Sequence, residues 1–218
     1  DGKPRKWCGG ACPHDEGCVT CTLPENPEMA RLNRRHRAEG GTDETLAHKG
    51  IIKVSGPVNY EMVARVRTLL DIAVTARPNR KELVILIDSS GGKVPAGLEV
   101  FDLIRNAPVP MRIGKVRSQA LSMGLIILQA CDRRVASRTA RLLLHHTRFK
   151  EVQLPELRDP TRVQWMLLLC EGDEKRMQEI LMQRTGRSLA EINEHCDRDA
   201  SISSQEALAF GLIDAIED

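Results

Sequence analysis

The fold of this chain is decided by the stretch Gln119-Ala120-Leu121-Ser122-Met123-Gly124-Leu125-Ile126-Ile127-Leu128. It predicts a tight turn that places Ser122 in the first turn of a buried helix, because the residues after the serine are almost all apolar. The simplest role for such a serine is helix capping, which stabilises a helix by about 1 kcal/mol. The other role is nucleophilic, since the helix dipole and the N–H of Met123 would both favour negative charge. The stretch alone leaves both interpretations open.

From Gly50 onward, hydrophobic periodicity predicts a regular alternation of strands and helices. The run 83–87 is continuously apolar, which is typical of a parallel strand buried on both faces. This order of elements predicts an α/β fold with a mostly parallel sheet. Strands are expected at 51–54, 83–87, 111–116, 134–136, 141–144 and 212–216, and helices at 60–76, from Val94, at about 160–184, and after the capping boxes Ser188–Glu191 and Ser203–Glu206.

Composition argues against two classes of partner. The 218 residues carry a formal net charge of +2 and only 3% aromatic residues, so neither charge nor base stacking predicts nucleic-acid binding. No apolar run approaches the roughly 18 residues that a membrane helix needs, so we expect no membrane association. The sequence begins at Asp1 rather than Met, which leaves a removed targeting segment open.

Seven cysteines fall into two groups. Three of them are scattered through apolar or helical stretches, so we expect reduced thiols and a cytoplasmic protein. The other four stand close together near the start, where their spacing predicts a structural zinc site, with a reduced flexible tail and a disulfide pair as alternatives. We therefore separate a Cys-rich, basic appendage at residues 1–47 from a main domain at 48–218. The scattered group is Cys131, Cys170 and Cys196, and the early group is Cys8, Cys12, Cys18 and Cys21.

Chemistry is expected where strands end and helices begin. The pair Gly91-Gly92 follows a predicted strand and permits a close backbone approach to a ligand, although a plain left-handed turn is the simpler interpretation. The N–H groups of Gly92 and Met123 would together form an oxyanion hole. An activated serine also needs a base and an orienting acid. His145, at a predicted strand end, is the candidate base, and either Asp197 or Asp199 is the candidate acid.

Several linked motifs resemble the ClpP serine peptidase family in order and rough spacing. The resemblance covers about residues 48–218 and implies a ClpP-like peptidase domain there. By position, Ser122 matches the nucleophile, His145 the general base and Asp199 the orienting carboxylate. Gly92 and Met123 match the two oxyanion-hole donors. The motifs are Gly91-Gly92, Ser122-Met123-Gly124, Leu144-His145, the segment 184–192, and the segment 197–214, which begins Asp197-Arg198-Asp199-Ala200-Ser201.

This resemblance implies a crotonase-like α/β fold of repeated β-β-α units with a long handle helix at about residues 160–184. It implies a homo-oligomeric ring, a heptamer or a tetradecamer of two stacked rings, with the serines inside. An AAA+ ATPase unfoldase would thread unfolded polypeptide into that chamber. The activity would be that of a serine endopeptidase, working through an acyl-enzyme and requiring no cofactor at the peptidase site.

The chain departs from the family pattern around the site. The usual Ser-Pro-Gly-Gly loop is Ser89-Ser90-Gly91-Gly92, and Ser118 and Leu121 replace the usual Gly and Ala before the nucleophile. After the histidine, the usual Gln-Pro is His146-Thr147. The Gly-rich strand that normally follows, which aligns substrate and joins the rings, is replaced by residues 148–155.

Three other functions remain open from the sequence. The chain could be a catalytically silent ring subunit, but such a subunit would not need an intact set of Ser122, His145 and Asp199. It could be a crotonase-fold enzyme that acts on acyl thioesters, which would leave the serine idle. A Ser–Lys peptidase would need a lysine base, for which Lys93 and Lys115 are the candidates.

Overall fold

The computed structural model describes residues 42–148 and 152–217. In this part of the chain, helices and strands alternate up to Ser137, one further strand ends at Leu143, and helices predominate afterwards. The strands are β1 (Ile51–Ser55), β2 (Glu82–Ser89), β3 (Met111–Leu121), β4 (Arg133–Ser137), β5 (Arg141–Leu143), β6 (Ser201–Ile202) and β7 (Ala215–Glu217). The helices are α1 (Asp43–His48), α2 (Tyr60–Ala76), α3 (Val94–Arg105), α4 (Met123–Leu128), α5 (Leu154–Leu157), α6 (Pro160–Thr185), α7 (Leu189–Asp197) and α8 (Ser204–Phe210).

The sheet divides at its longest strand. Five strands lie side by side in the order β1-β2-β3-β4-β7, and all of these neighbours pair in parallel. The first half of β3 pairs with β4, whereas its last three residues pair in parallel with β5. Strand β5 in turn pairs with β6 in an antiparallel arrangement. The carboxyl ends of β3 and β5 therefore meet at one edge of the sheet.

Local sequence explains where the main helices begin and end. The side chain of Asn59 accepts the N–H of Met62 at 2.9 Å and so caps α2. Helix α6 begins after Asp159, which accepts two amides of its first turn, and ends at Gly186, whose φ of 71° is left-handed. The core combines buried residues of the sheet with buried residues of the helices. The buried residues of α2 are the predicted face: Met62, Val63, Val66, Leu69, Leu70 and Ala73.

The α/β class, the mostly parallel sheet and the long handle helix are confirmed. Several boundaries were wrong. Residues 119–121 were expected in a turn but continue β3, and the last strand lies at 215–217 rather than 212–216. Helices α1 and α5 and the two-residue β6 were not predicted. In β2, Val84 and Leu86 are only half-buried, so the described chain buries that strand fully on one face rather than two.

Helix α6 is exposed along its first half. Trp165, Leu168 and Leu169 are 62%, 61% and 50% exposed, whereas Met177, Ile180 and Leu181 in the second half are buried. No helix among the described residues is long and apolar enough to cross a membrane. The predicted zinc ligands and most of the predicted appendage lie outside the described residues.

Candidate active site

Ser122 stands at a sharp turn between β3 and α4. Its φ of 53° is left-handed, which costs a non-glycine residue about 1–3 kcal/mol. Its side chain makes no capping hydrogen bond to α4, so helix capping does not explain the residue. Its N–H donates to the carbonyl oxygen of Leu143 on β5 at 2.8 Å. The strain is thus held in place by the neighbouring strand, and the serine side chain is left half-buried and available.

The Gly91-Gly92 loop lies directly against this turn. A Cβ on Gly91 would stand 2.7 Å from both the carbonyl oxygen of Leu121 and the Cβ of Ser122. The hydroxyl of Ser89 donates to the carbonyl of Gly56 at 2.6 Å and accepts the N–H of Gly91 at 3.1 Å. Glycine at position 91 is therefore required both by its φ of 83° and by the approach of the serine turn.

Two amides beside Ser122 keep their N–H groups available. The N–H of Val58 donates to the carbonyl of Gly91, and the N–H of Lys93 donates to the carbonyl of Val58. Because both of these loop groups point toward Val58, the N–H of Gly92 between them points to the opposite side of the loop. Met123 is the first residue of α4, where an N–H has no intrahelical acceptor. Among the described residues, neither amide donates to another protein group. Both can therefore donate to an anionic oxygen.

His145 and Asp199 each lie two residues beyond the last pair of two adjacent strands. Leu143 of β5 pairs with Ser201 of β6 in an antiparallel arrangement, so the chain after Leu143 and the chain before Ser201 lie at the same end of this strand pair. Asp199 has a left-handed φ of 46°, so it occupies a tight turn before β6. His145 follows a strand that pairs directly with the one preceding Ser122. The topology thus brings all three predicted side chains to one edge of the sheet.

The side chains make other contacts at that edge. Nδ1 of His145 lies 2.6 Å from the carbonyl oxygen of His146 and must be its donor, because a carbonyl only accepts. The carboxylate of Asp199 is paired with the guanidinium of Arg148. Within residues 42–148 and 152–217, no hydrogen bond joins Ser122 to His145 or His145 to Asp199. The strand pairing brings the three residues to one edge of the sheet, but the hydrogen-bonded chain of a triad is not formed in this part of the chain.

His146 is held between two carboxylates from two helices. Its Nδ1 lies 2.6 Å from Oε1 of Glu174 on α6, and its Nε2 lies 3.0 Å from Oδ1 of Asp197 at the end of α7. The hydrogen bond to Glu174 is the main reason that the pKa of His146 is raised. Burial alone would raise the pKa of Glu174, but its bonds from His146 and Thr147 outweigh that effect and lower it. Both shifts favour an imidazolium between two carboxylates.

The competing candidates are placed elsewhere. Asp197 is engaged by His146, which separates its role from that of Asp199. Lys93 lies over the ring of Tyr60, and Lys115 is paired with Glu217 of β7 at 2.9 Å. In the described ranges, no group of three or more His, Cys, Asp or Glu side chains could hold a metal ion. Cys8, Cys12, Cys18 and Cys21 lie outside those ranges, so the zinc hypothesis stays a prediction.

Comparison with known proteins adds a family to this geometry. A family model described as Clp protease matches residues 37–218. The chain belongs to the Clp protease family. It is similar to the ATP-dependent Clp protease proteolytic subunit 1 of Leifsonia xyli subsp. xyli, with 30% identity over 154 residues, 67% of this chain and 73% of that protein. Membership of the Clp protease family supports a peptidase, which needs no cofactor at its site.

Two residues of this Clp-family site were not singled out from the sequence. Glu174 lies four residues after Cys170 and three before Met177, so a charged residue interrupts the apolar stripe of α6. That interruption could have identified Glu174 from the sequence, because a carboxylate on a core-facing stripe of a helix needs a hydrogen-bonding or charged partner. Arg148 carried no comparable signal, since its contact with Asp199 depends on the fold of two distant loops.

Proposed function

We propose that the chain is a serine endopeptidase that cleaves unfolded polypeptides through an acyl-enzyme. The observation on which the proposal depends is the conformation of Ser122, which is strained and makes no capping hydrogen bond to α4. The residue is held against the Gly91-Gly92 loop and beside the strand that leads to His145. Strain in a serine turn that has no capping role is typical of a nucleophile. Membership of the Clp protease family supports the same reaction class.

In the proposed acylation step, Oγ of Ser122 attacks the carbonyl carbon of the scissile peptide bond. His145 takes the hydroxyl proton on Nε2 and returns it to the leaving amine. The proton on Nδ1 fixes the tautomer in which Nε2 is a free base, and this is the tautomer that the bond to the His146 carbonyl requires. Water then attacks the acyl-enzyme with the same assistance and releases the carboxylate product.

The oxyanion of each tetrahedral intermediate would accept the N–H groups of Gly92 and Met123. Both amides are fixed before the reaction, one by the bridge at Val58 and the other by the start of α4. Preorganised donors of this kind are worth about a hundredfold to a thousandfold each in rate. The proposed role of the Gly91-Gly92 loop therefore depends on a main-chain N–H group beside the serine rather than on a side chain.

We assign Asp199 as the carboxylate that orients His145 in the working enzyme. For this contact to form, Nδ1 of His145 must leave the carbonyl of His146, and the carboxylate of Asp199 must leave Arg148. Nδ1 then donates to Asp199. The position of both residues two steps beyond the paired ends of β5 and β6 supports the exchange, because they lie at the same end of this strand pair. Catalytic hydrogen bonds are often formed only when substrate is bound.

The proposed assembly is a homo-oligomeric ring, as a heptamer or a tetradecamer, that receives unfolded polypeptide from an AAA+ ATPase in the cytoplasm. The name of the Leifsonia relative, a proteolytic subunit of an ATP-dependent protease, supports this arrangement. The exposed apolar residues on the first half of α6 also favour burial between copies. Sizing of the full chain in solution tests the ring, and a monomer at micromolar concentration would contradict it.

Hydrolysis of a short fluorogenic peptide and of an unfolded protein tests the reaction. The full chain should hydrolyse both, and Ser122→Ala should reduce the rates by about three orders of magnitude or more. Ser118→Ala is a matched control, because Ser118 is an exposed serine on β3 four residues earlier. Equal rates in the native chain and Ser122→Ala would overturn the proposal.

A further inference from the structure

We propose that His146 and Arg148 are positioning residues that hold His145 and Asp199 in a resting arrangement, which must open before the site works. The proposal rests on the proposed function, since it concerns the same base and carboxylate. Its basis is that both groups of the proposed His145–Asp199 hydrogen bond already have other partners. Nδ1 of His145 donates to the His146 carbonyl, and Asp199 is paired with Arg148.

The carbonyl of His146 is fixed because its side chain is held at both ring nitrogens. Carboxylates of Glu174 and Asp197 only accept hydrogen bonds, so a ring that contacts both through nitrogen carries two protons. The second oxygen of Glu174 accepts the N–H of Thr147 at 3.0 Å, which fixes the next peptide as well. Helices α6 and α7 thus hold the segment that follows the proposed base.

Arg148 acts on the other partner. Its guanidinium is paired with Asp199, which lies two residues before β6, the strand that pairs with β5. A carboxylate occupied by arginine is a weaker acceptor for an imidazole N–H, because its charge is already compensated. Both side chains are about half exposed, so this ion pair shifts an equilibrium by no more than about fivefold.

The charged groups around His146 determine which change of protonation weakens the resting arrangement. Glu174 of α6 and Asp197 of α7 face the ring, and His145 and Arg148 are its neighbours on the same loop. Two thiols also lie near Glu174, but burial raises the pKa of Cys170 and raises that of Cys196 to about 12, so both stay neutral. Loss of one proton from the imidazolium therefore leaves one of the two carboxylates without its hydrogen bond from the ring.

The first test compares variants by the rate at which a fluorophosphonate labels Ser122 in the full chain. His146→Gln and Arg148→Gln should each raise the maximal labelling rate, by about three- to tenfold for the first and up to about fivefold for the second. The half-saturating reagent concentration should not change, because the reagent site is intact. Arg176→Gln is the matched control, since Arg176 ties α6 to Asp102 of α3 without touching His146.

A rate that falls or stays constant in both His146→Gln and Arg148→Gln overturns the proposal. An equal increase in Arg176→Gln would also overturn it, because a general loosening of α6 would then be sufficient. If His146→Gln does not fold, Glu174→Gln tests the same contact with the ring in place. Absence of labelling in every variant, including the native chain, would instead contradict the proposed function itself.

The second readout is the dependence of labelling on pH. The pKa of His146 is raised in the resting arrangement, so that arrangement is favoured at low pH and weakened as the pH rises through this pKa. The native chain should therefore show an additional increase above the ordinary pKa of histidine. His146→Gln should lose that increase. Identical profiles would contradict the proposal.

Discussion

The main-chain N–H of Ser122 donates to the carbonyl oxygen of Leu143 at 2.8 Å. This bond extends the pairing of β3 and β5 by one step, beyond the pair Leu121 and Leu143. It holds the strained serine turn to the strand that leads to His145, two residues later. The backbone therefore fixes the proposed nucleophile beside the end of β5, from which the chain leads to the proposed base.

Asp199→Asn distinguishes the two aspartates of the 197–199 segment. If Asp199 orients His145 in the working site, its amide variant should lower peptide hydrolysis by about four orders of magnitude, as expected for loss of the orienting carboxylate. Asp197→Asn removes only the negative charge of a group that contacts His146, so it should leave hydrolysis equal or faster. Steady-state rates of the two purified variants provide the measurement. The opposite ranking would assign the orienting role to Asp197.

Gly91→Ala should abolish hydrolysis although the added group is a single methyl. The new Cβ would stand 2.7 Å from both Ser122 Cβ and the carbonyl oxygen of Leu121, so the loop or the serine turn must move. Gly56→Ala is the matched control, since its φ of 88° is similar and no atom lies within 4 Å of the added group. Both variants should lose stability through backbone strain, but only Gly91→Ala should lose activity. Comparable activity in the two would contradict the proposed close packing.

Gly172→Ala should stabilise the protein by about 1 kcal/mol, because glycine is a poor residue inside a helix. Gly172 lies in the middle of α6, and a Cβ there would meet no atom within 4 Å. Thermal unfolding should show a Tm higher by about 2–4 °C. A lower Tm would indicate that α6 does not remain a continuous helix at this point, or that another copy packs closely there.

Asp214 should link stability to pH. Its burial alone would raise its pKa, but hydrogen bonds from Arg134 outweigh that effect and lower the pKa, so its contribution to stability is present above the ordinary aspartate pKa. This contribution is lost as the pH falls through the lowered pKa. Asp214→Asn should cost about 2 kcal/mol near neutral pH, because it leaves the buried Arg134 charge partly uncompensated.

Denaturant unfolding between pH 7 and pH 3 measures this effect. The native chain should lose more stability on acidification than Asp214→Asn, since the variant has already lost the ion pair. Asp102→Asn is the control, because its ion pair with Arg176 is exposed and contributes no more than about 1 kcal/mol. Parallel pH curves for the native chain and Asp214→Asn would refute the assignment.

The early cysteines predict bound metal. Purified full chain should contain about one zinc per molecule if Cys8, Cys12, Cys18 and Cys21 form a tetrahedral site. Cys18→Ser should remove most of this zinc, whereas Cys170→Ser, in α6, should not. Elemental analysis after gel filtration is sufficient, and a native chain without zinc would eliminate the site.

Much of the fold could be predicted because it depends on local periodicity. The buried face of α2, the limits of α6 and the two capping boxes follow from residues close together in sequence. Gly91-Gly92 and Ser122 were also identifiable, since glycine pairs and a small-residue turn before an apolar helix are local patterns. The full length of β3 was missed because its last residues are held by β5, which no local pattern shows.

The hydrogen-bond partners of His145 and Asp199 could not be predicted either, because they too depend on residues distant in sequence. Sequence order and family resemblance identify His145 and Asp199 but do not determine which acceptor and which cation they contact. Those contacts depend on the His146 carbonyl, whose side chain is held by two helices far away in the chain, and on Arg148, which reaches Asp199 from a distant loop. A rotameric choice between two acceptors involves a small free-energy difference, which no sequence pattern encodes.

Site-specific labelling decides whether His145 activates Ser122. The full chain is treated with a fluorophosphonate, digested and analysed by mass spectrometry, in parallel with His145→Ala and Ser122→Ala. We expect a single adduct on Ser122 that is strongly reduced in His145→Ala and absent in Ser122→Ala. An adduct on another residue, or labelling of Ser122 that does not depend on His145, would contradict a serine nucleophile activated by this histidine.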